Sequence, residues 1–239
     1  MKKRVLIIGS CAVAVIIIAV AIICIVLGNS KDTTPVFKCE EAYKPKIEEY
    51  YKVIASPEST DMIYDGLNAV HQAALEFGDE APDKFGYMFK DVNKDGKEEL
   101  FIGCFDAEDS AAVNNDIYAA FTHDGEMLIP LFEKQKRNTY ALTDTGTFYF
   151  HGSDGVAYHI VAEYEMTEEG IVCKDFYFSY PKFGDINELE YFHNTTGEWD
   201  PDASEKVDMT FEQLEEIRKD LAARTIPIDA ESFSGVGEK

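Results

Sequence analysis

Oxygen-bearing side chains recur at the first, third, fifth and ninth places of one short stretch: Asp91, Asn93, Asp95 and Glu99, with Gly96 at the sixth. Calcium is a hard cation that takes about 6–8 oxygen ligands in flexible geometry, and a chain supplies them most simply from alternate residues of one loop. Asp91, Asn93, Asp95 and Glu99 can offer side-chain oxygens, and Lys97 its backbone carbonyl. Gly96 permits a positive φ where such a loop must turn sharply. Lys94 and Lys97 have long stems that can point outward and partly offset the three carboxylates.

The residues around the loop decide which kind of calcium loop this is. An EF-hand closes with a bidentate Glu at its twelfth place, where this chain has Ile102. The flanks, Gly86-Tyr87-Met88-Phe89 and Leu100-Phe101-Ile102, have strand character rather than helical character. The expectation is a strand-loop-strand site closed by Glu99, similar to the Asp-x-Asp-x-Asp-Gly-x-x-Asp hairpins of integrin-type and FG-GAP repeats. Such an ion staples a hairpin rather than signals, with affinity in the roughly 10⁻⁴–10⁻³ M range of extracellular modules. Asn-Lys-Asp-Gly also makes an ordinary hairpin turn, so the ligand pattern carries the metal reading.

Lys2, Lys3 and Arg4 precede 23 residues, Val5 to Leu27, that are apolar apart from Gly9 and Ser10. About 20 apolar residues suffice to cross the hydrocarbon core. The positive-inside rule places the N-terminus in the cytoplasm and the rest outside. Residues 1–28 are therefore read as an uncleaved signal anchor. Cleavage near Val26-Leu27-Gly28 and a lipobox at Ile8-Gly9-Ser10-Cys11 are the alternatives, and all three export the same domain. Residues 29–38 read as a tether, 39–233 as one extracytoplasmic domain and 234–239 as a disordered tail.

The 239-residue chain has a formal charge of −23. Residues 1–30 hold three basic and no acidic residues, so the remainder sets 19 positive against 45 negative side chains, a net −26. Such a surface repels nucleic acid and anionic headgroups, and favours cations or a basic protein partner at the cell surface. Aromatic residues at 13% argue against disorder. Cys39, Cys104 and Cys173 lie outside the anchor. They allow one disulfide, such as Cys104 to Cys173, or free thiols on apolar strands.

The rest of the chain supplies a frame for the loop. Tyr43, Ile47, Tyr50 and Ile54 repeat at helical spacing, as do Ile63, Leu67, Val70, Ala74 and Phe77; Thr60 or Asp61 can cap the second helix and Gly78 can end it. From Phe85 the period changes to two. Strands are expected over 85–90, 99–105, 117–122, 127–132, 138–142, 147–151, 156–165 and 171–180, joined by turns such as His123-Asp124-Gly125 and Asp144-Thr145-Gly146. Residues 183–208 read as a long acidic loop. Thr210 and Gln213 form a capping box for a last helix, and 225–233 can add an edge strand. The fold class expected is α+β: an antiparallel β-meander with an N-terminal helix pair and a C-terminal helix, preceded by one transmembrane helix.

Tyr87 to Gly103, with Ile117-Tyr118, His123-Asp124-Gly125, Pro130-Leu131-Phe132, Arg137-Asn138, Asp144-Thr145-Gly146-Thr147 and Ile226-Pro227-Ile228, resembles a module of exported, membrane-anchored or lipidated proteins of Firmicutes. The resemblance spans roughly residues 40–230. It implies export and an α+β architecture, and it carries no activity with it.

Catalytic signals are weak. His71, His123, His151, His159 and His193 are scattered, although His151 and His159 can face each other across the Ser153-Asp154-Gly155 turn. There is no Gly-x-Ser-x-Gly, His-Glu-x-x-His, Cys-x-x-Cys or Gly-rich phosphate loop. Ser110 has no recognisable base partner. The sequon Asn194-Thr195-Thr196 matters only in a eukaryotic secretory pathway. The leading expectation is a membrane-anchored binding or structural module with a stabilising calcium. The alternative is a cell-surface hydrolase using a pair of facing carboxylates.

Overall fold

The computed structural model describes residues 41–59, 67–105, 116–125, 127–168 and 170–236. The anchor, the tether, Cys39, Ser110 and the Thr60, Asp61 and Ile63 start of the second helix lie outside these residues. Among the described residues no helix is long and apolar enough to cross a membrane.

Helix α1 (Lys44–Ala55) starts with Pro45 in its first turn, where the missing N–H costs nothing, and buries Ile47, Tyr50, Val53 and Ile54. Helix α2 (Asn68–Phe77) buries Val70, His71 and Ala74 and ends at Gly78, whose φ of 58° is the left-handed value expected of a terminating glycine. A one-turn helix α3 (Ala81–Lys84) leads into the first strand.

Two antiparallel sheets follow, where the sequence suggested one continuous meander. The first contains β1 (Phe85–Lys90), β2 (Glu99–Cys104), β3 (Asp116–His123) and β4 (Leu128–Glu133), in that order. The second contains β5 (Asn138–Leu142), β6 (Thr147–Ser153), β7 (His159–Thr167), β8 (Gly170–Lys182), β9 (Asp185–Asn194) and β10 (Glu205–Val207). Thus 183–208 is not one irregular loop. It holds β9, β10 and a 3-10 turn at Pro201–Ala203. Acidic residues on the exposed side of β9 mask its alternation, but its register with β8, Phe178↔Phe192 and Ser179↔Tyr191, sets Phe192 and Tyr191 on opposite apolar faces.

The layers follow from strand alternation. In β1 and β2, Tyr87, Leu100 and Ile102 face α1 and α2, with Phe121 of β3. Met88 and Phe101 face the other way and pack with Leu142, Phe148 and Met166 of the second sheet. Burying one such side chain stabilises by about 1.5–3 kcal/mol. On the far side of the second sheet, Tyr149, Val161 and Tyr191 pack against Leu214 and Leu221 of α4 (Phe211–Ala222). The expected capping box forms: Thr210 Oγ1 accepts from Gln213 N–H at 3.3 Å, and Gln213 Oε1 accepts from Thr210 N–H at 2.8 Å.

The last segment joins both sheets. Ile226 N–H donates to Leu142 O at 2.9 Å, and β11 (Glu231–Ser232) pairs with β1 at Gly86↔Ser232. This is the edge strand expected within 225–233, reduced to two residues. Beyond it Phe233 and Val236 are buried.

Candidate metal loop

Strands β1 and β2 pair throughout from Phe85↔Cys104 to Lys90↔Glu99, so Asp91–Glu98 is the connection at one end of a straight hairpin. Its conformation is fixed by its own carboxylates. Asp91 accepts from Asp95 N–H at 3.1 Å on Oδ1 and from Gly96 N–H at 3.0 Å on Oδ2. Asn93 Oδ1 accepts from Asp95 N–H at 3.1 Å, and Asp95 Oδ1 accepts from Lys97 N–H at 2.8 Å. Lys94 and Gly96 both take left-handed φ values, 63° and 89°. For lysine that conformation costs energy, and the cluster of side-chain-to-backbone bonds offsets it.

Glu99 lies at the base of this loop with no exposed surface. Its Oε2 accepts from Val92 N–H at 3.1 Å and its Oε1 from the Thr122 hydroxyl at 3.4 Å. Burial raises its pKa, and the charges of Asp95 and Asp91 push the same way against the two hydrogen bonds. No lysine or arginine pairs with it among the described residues. A buried carboxylate under the charge of two others is relieved by a nearby positive charge.

The loop also touches the second sheet. Asn93 Nδ2 donates to Asp95 Oδ2 at 3.2 Å and lies 3.5 Å from Thr167 O in the β7–β8 turn. Val92 is buried in the inter-sheet cluster with Met166, and Tyr43 of the α1 N-terminus donates to Glu98 O at 2.7 Å. The loop thus sits at a junction of helix, first sheet and second sheet.

Of the predicted ligands, Asp91, Asn93 and Asp95 are tied together through backbone amides, and Glu99 closes the loop from below. Among the described residues, no group of three or more His, Cys, Asp or Glu is gathered closely enough to form a ready metal cage. The donor set nevertheless fits calcium chemically. All donors are oxygens, and a carboxylate oxygen that accepts one N–H keeps a further lone pair. Lys97 can contribute its carbonyl from the same turn.

Three of the histidines bond to a backbone carbonyl or an acid. His71 Nε2 meets Pro57 O at 2.9 Å, His159 Nε2 meets Val156 O at 3.1 Å, and His193 meets Asp175 at 3.0 Å. His151 and His159 share one face, offset diagonally by the pairs His151↔Val161 and Ser153↔His159. Burial, and the charge of Arg218, lower the His151 pKa. Cys104 and Cys173 are free thiols on different sheets. Asn194 accepts from Thr196 and Gly197 N–H and donates to Glu198 O and Ser204, so it locks its own turn.

Two acids, the part-buried Asp116 and the buried Glu163, were not singled out by the sequence. Asp116 pairs with Lys134, whose ammonium also lies 4.1 Å from the Tyr118 ring centroid. Glu163 Oε1 accepts from Thr147 Oγ1 at 2.6 Å and from Arg224 at 3.1 Å. Burial works to raise the Glu163 pKa, but those bonds and the Lys174 charge outweigh it and hold it low. The alternation Thr143-Asp144-Thr145-Gly146-Thr147 was the available signal, because it puts three hydroxyls on one side of a tight turn. Among the described residues the carboxyls with raised pKa values are Glu99 and Asp116, which stand at opposite ends of the β2–β3 pair, where Leu100↔Phe121 and Cys104↔Asp116 are the terminal partners. These two do not face each other.

No family model, no curated protein and no solved structure matches this chain.

Proposed function

We propose that this chain is a membrane-anchored, extracytoplasmic binding or structural module in which one calcium ion stabilises the Asp91–Glu99 loop. The observation that carries the metal reading is Glu99: a fully buried carboxylate, uncompensated by a lysine or arginine among the described residues, that feels the charges of Asp91 and Asp95. Asp91, Asn93, Asp95, Glu99 and the Lys97 carbonyl would hold the ion. The ion would supply positive charge and crosslinking, with no part in chemistry. The site's contacts extend the expected role. An ion there would brace the hairpin against Thr167 of the second sheet and, through Glu98, against α1. Anchoring rests on Lys2 to Leu27 and the positive-inside rule.

The test is thermal unfolding of the full-length chain in non-ionic detergent, with 10 mM calcium and with chelator, for the wild type and Asp95→Ala. A calcium-dependent rise in melting temperature is expected for the wild type and its loss in the variant. No rise in the wild type would remove the ion from the reading. Anchoring fails separately if the mature membrane-bound protein begins near Asn29 or carries lipid on Cys11.

A further inference from the structure

Helix α2 has two working faces. Val70, Ala74 and Phe77 go to the core with Leu67. The adjacent face, Ala69, Gln72, Ala73 and Glu76 at helical spacing, lines a cavity of about 130 Å³ instead. Its other wall comes from Tyr118 of β3 and from Lys134, Lys136 and Arg137 of the β4–β5 connection, which carries the chain from the first sheet to the second. The methyl side chains at 69 and 73 leave the helix wall low, so the space stays open. A cavity of roughly 150 Å³ can hold benzene, a ligand of six non-hydrogen atoms.

The lining carries both signs of charge. Three of the chain's 22 lysines and arginines fall within residues 134–137. Lys134 is paired with Asp116. Lys136 and Arg137 are exposed and make no ion pair among the described residues, although the chain has 45 acids to offer them. Arg137 takes φ 71° in the turn that Asn138 N–H closes on Gln135 O at 3.2 Å. Glycine or asparagine would adopt that φ with less strain, so the turn holds a guanidinium there at a conformational cost. On the helix wall Glu76 is exposed and likewise makes no ion pair among the described residues. Gln72 Nε2 donates to Asn68 Oδ1 at 3.1 Å, while its Oε1 is buried with no hydrogen-bond partner among the described residues. The terminal torsion of glutamine is soft, so a small turn presents that acceptor to a donor in the cavity. The Tyr118 hydroxyl makes no hydrogen bond among the described residues, and burial raises its pKa, so it keeps its proton and stays a donor.

We infer that this cavity binds a small α-amino acid as its zwitterion, the carboxylate taken by Arg137 and Lys136 with the Tyr118 hydroxyl, and the ammonium by Glu76 with Gln72 Oε1. The turn supplies the cations and the helix supplies the acceptors, so the two signs come from different walls. A simple anion there would lie close to Glu76, and a simple cation close to Lys136 and Arg137; a zwitterion meets both signs favourably. Guanidinium suits the carboxylate end because its paired N–H donors match the two oxygens. Ala69 and Ala73 leave space for a methyl group, and alanine has six non-hydrogen atoms, which the cavity's volume accommodates. The site gives the binding-module reading a ligand class. It shares no residue with the metal loop, so a failed calcium assay leaves it standing.

The probe is radiolabelled alanine, L and D separately, in equilibrium dialysis against the full-length chain in non-ionic detergent. A ligand of six non-hydrogen atoms binds no tighter than about 10⁻⁷–10⁻⁶ M, so the titration runs to millimolar alanine. Saturable binding of at least one enantiomer is expected. N-acetylalanine, which lacks the ammonium, and alaninamide, which lacks the carboxylate, should each compete about tenfold more weakly than alanine itself, or worse. Arg137→Gly should weaken binding by about tenfold or more while melting no lower than the wild type, because glycine relieves the left-handed φ. Glu76→Gln changes an exposed side chain and should weaken binding with an unchanged melting temperature. Absence of saturable binding by both enantiomers overturns the proposal. So does competition by N-acetylalanine or alaninamide equal to that of alanine, or wild-type affinity in Arg137→Gly.

Discussion

Replacing Glu99 with Gln should change stability in opposite directions depending on calcium. Glutamine keeps the size of the side chain and the hydrogen bonds: its Oε1 can accept from Val92 N–H and its Nε2 can donate to Thr122 Oγ1. What it removes is a buried charge that feels those of Asp91 and Asp95. In chelator the folded wild type holds that carboxylate at a cost, because its pKa is raised, so Glu99→Gln should melt higher than wild type. In calcium the same carboxylate would be the ninth-place ligand of the proposed ion. With a dissociation constant of about 10⁻⁴–10⁻³ M, 10 mM calcium stands at roughly 10–100 times that value and stabilises the wild type by about 1.4–2.7 kcal/mol. For a domain near 200 residues each kcal/mol moves the melting temperature about 2–4 °C, so the wild-type rise should be about 3–11 °C. Glu99→Gln should lose most of that rise. Differential scanning calorimetry of both proteins in both conditions reads the crossing directly. The reasoning is refuted if Glu99→Gln shows the full wild-type calcium response, or if it melts lower than wild type in chelator.

Three further outcomes follow from the packing. Arg224→Met should cost about 1–2 kcal/mol in urea unfolding at pH 7, a figure discounted for the partial exposure of Arg224, because Glu163 loses the nearer of its two cationic donors and keeps only Lys174 at 3.5 Å. The Glu163 pKa is held below its usual 4.5, so its stabilisation is present above that value and is lost as pH falls through the lower folded value. The Arg224→Met deficit should therefore shrink in acid, and an equal deficit at pH 3 and pH 7 would contradict the network. Gly103→Ala should destabilise by about 1–3 kcal/mol, since a Cβ there would lie 2.5 Å from Asp116 O and 2.7 Å from the Phe105 ring; a change within about 0.5 kcal/mol would show that the β2–β3 bulge yields. Burial pushes the Cys173 thiol up to about 11, so peptide mass mapping should find it alkylated far more slowly at pH 8 in the folded chain than in denaturant. Equal rates would mean that the β8 strand does not bury it.

Much of this fold was legible in the chain. The apolar stripes of α1 and α2, the Thr210–Gln213 cap and the strand positions from Phe85 to Tyr180 follow from local period and end signals, which residues near in sequence decide. The acidic β9 was missed because strand alternation fails as a signal where exposed positions on both faces are polar. Asp185, Asn187, Glu188 and Glu190 look like loop until Phe178 and Ser179 pair with Phe192 and Tyr191. The division into two sheets was equally hidden. A meander has the same local pattern whether its strands extend one sheet or cross to a second, and the contact of Phe101 with Phe148 that separates the cases joins residues far apart in sequence.

The Asp91–Glu99 loop shows where the boundary lies. Ligand types, their spacing, the glycine at the sixth place and the rejection of an EF-hand through Ile102 were all determined by the sequence alone, because each depends on residues within one short stretch. Tertiary structure alone decided that Glu99 is buried, that Asp95 and Asp91 bear on it without a lysine or arginine partner among the described residues, and that Asn93 reaches the β7–β8 turn at Thr167. Burial and electrostatic neighbourhood are set by segments that arrive from elsewhere in the chain. They set the charge and solvent exposure that the spacing of oxygens leaves open.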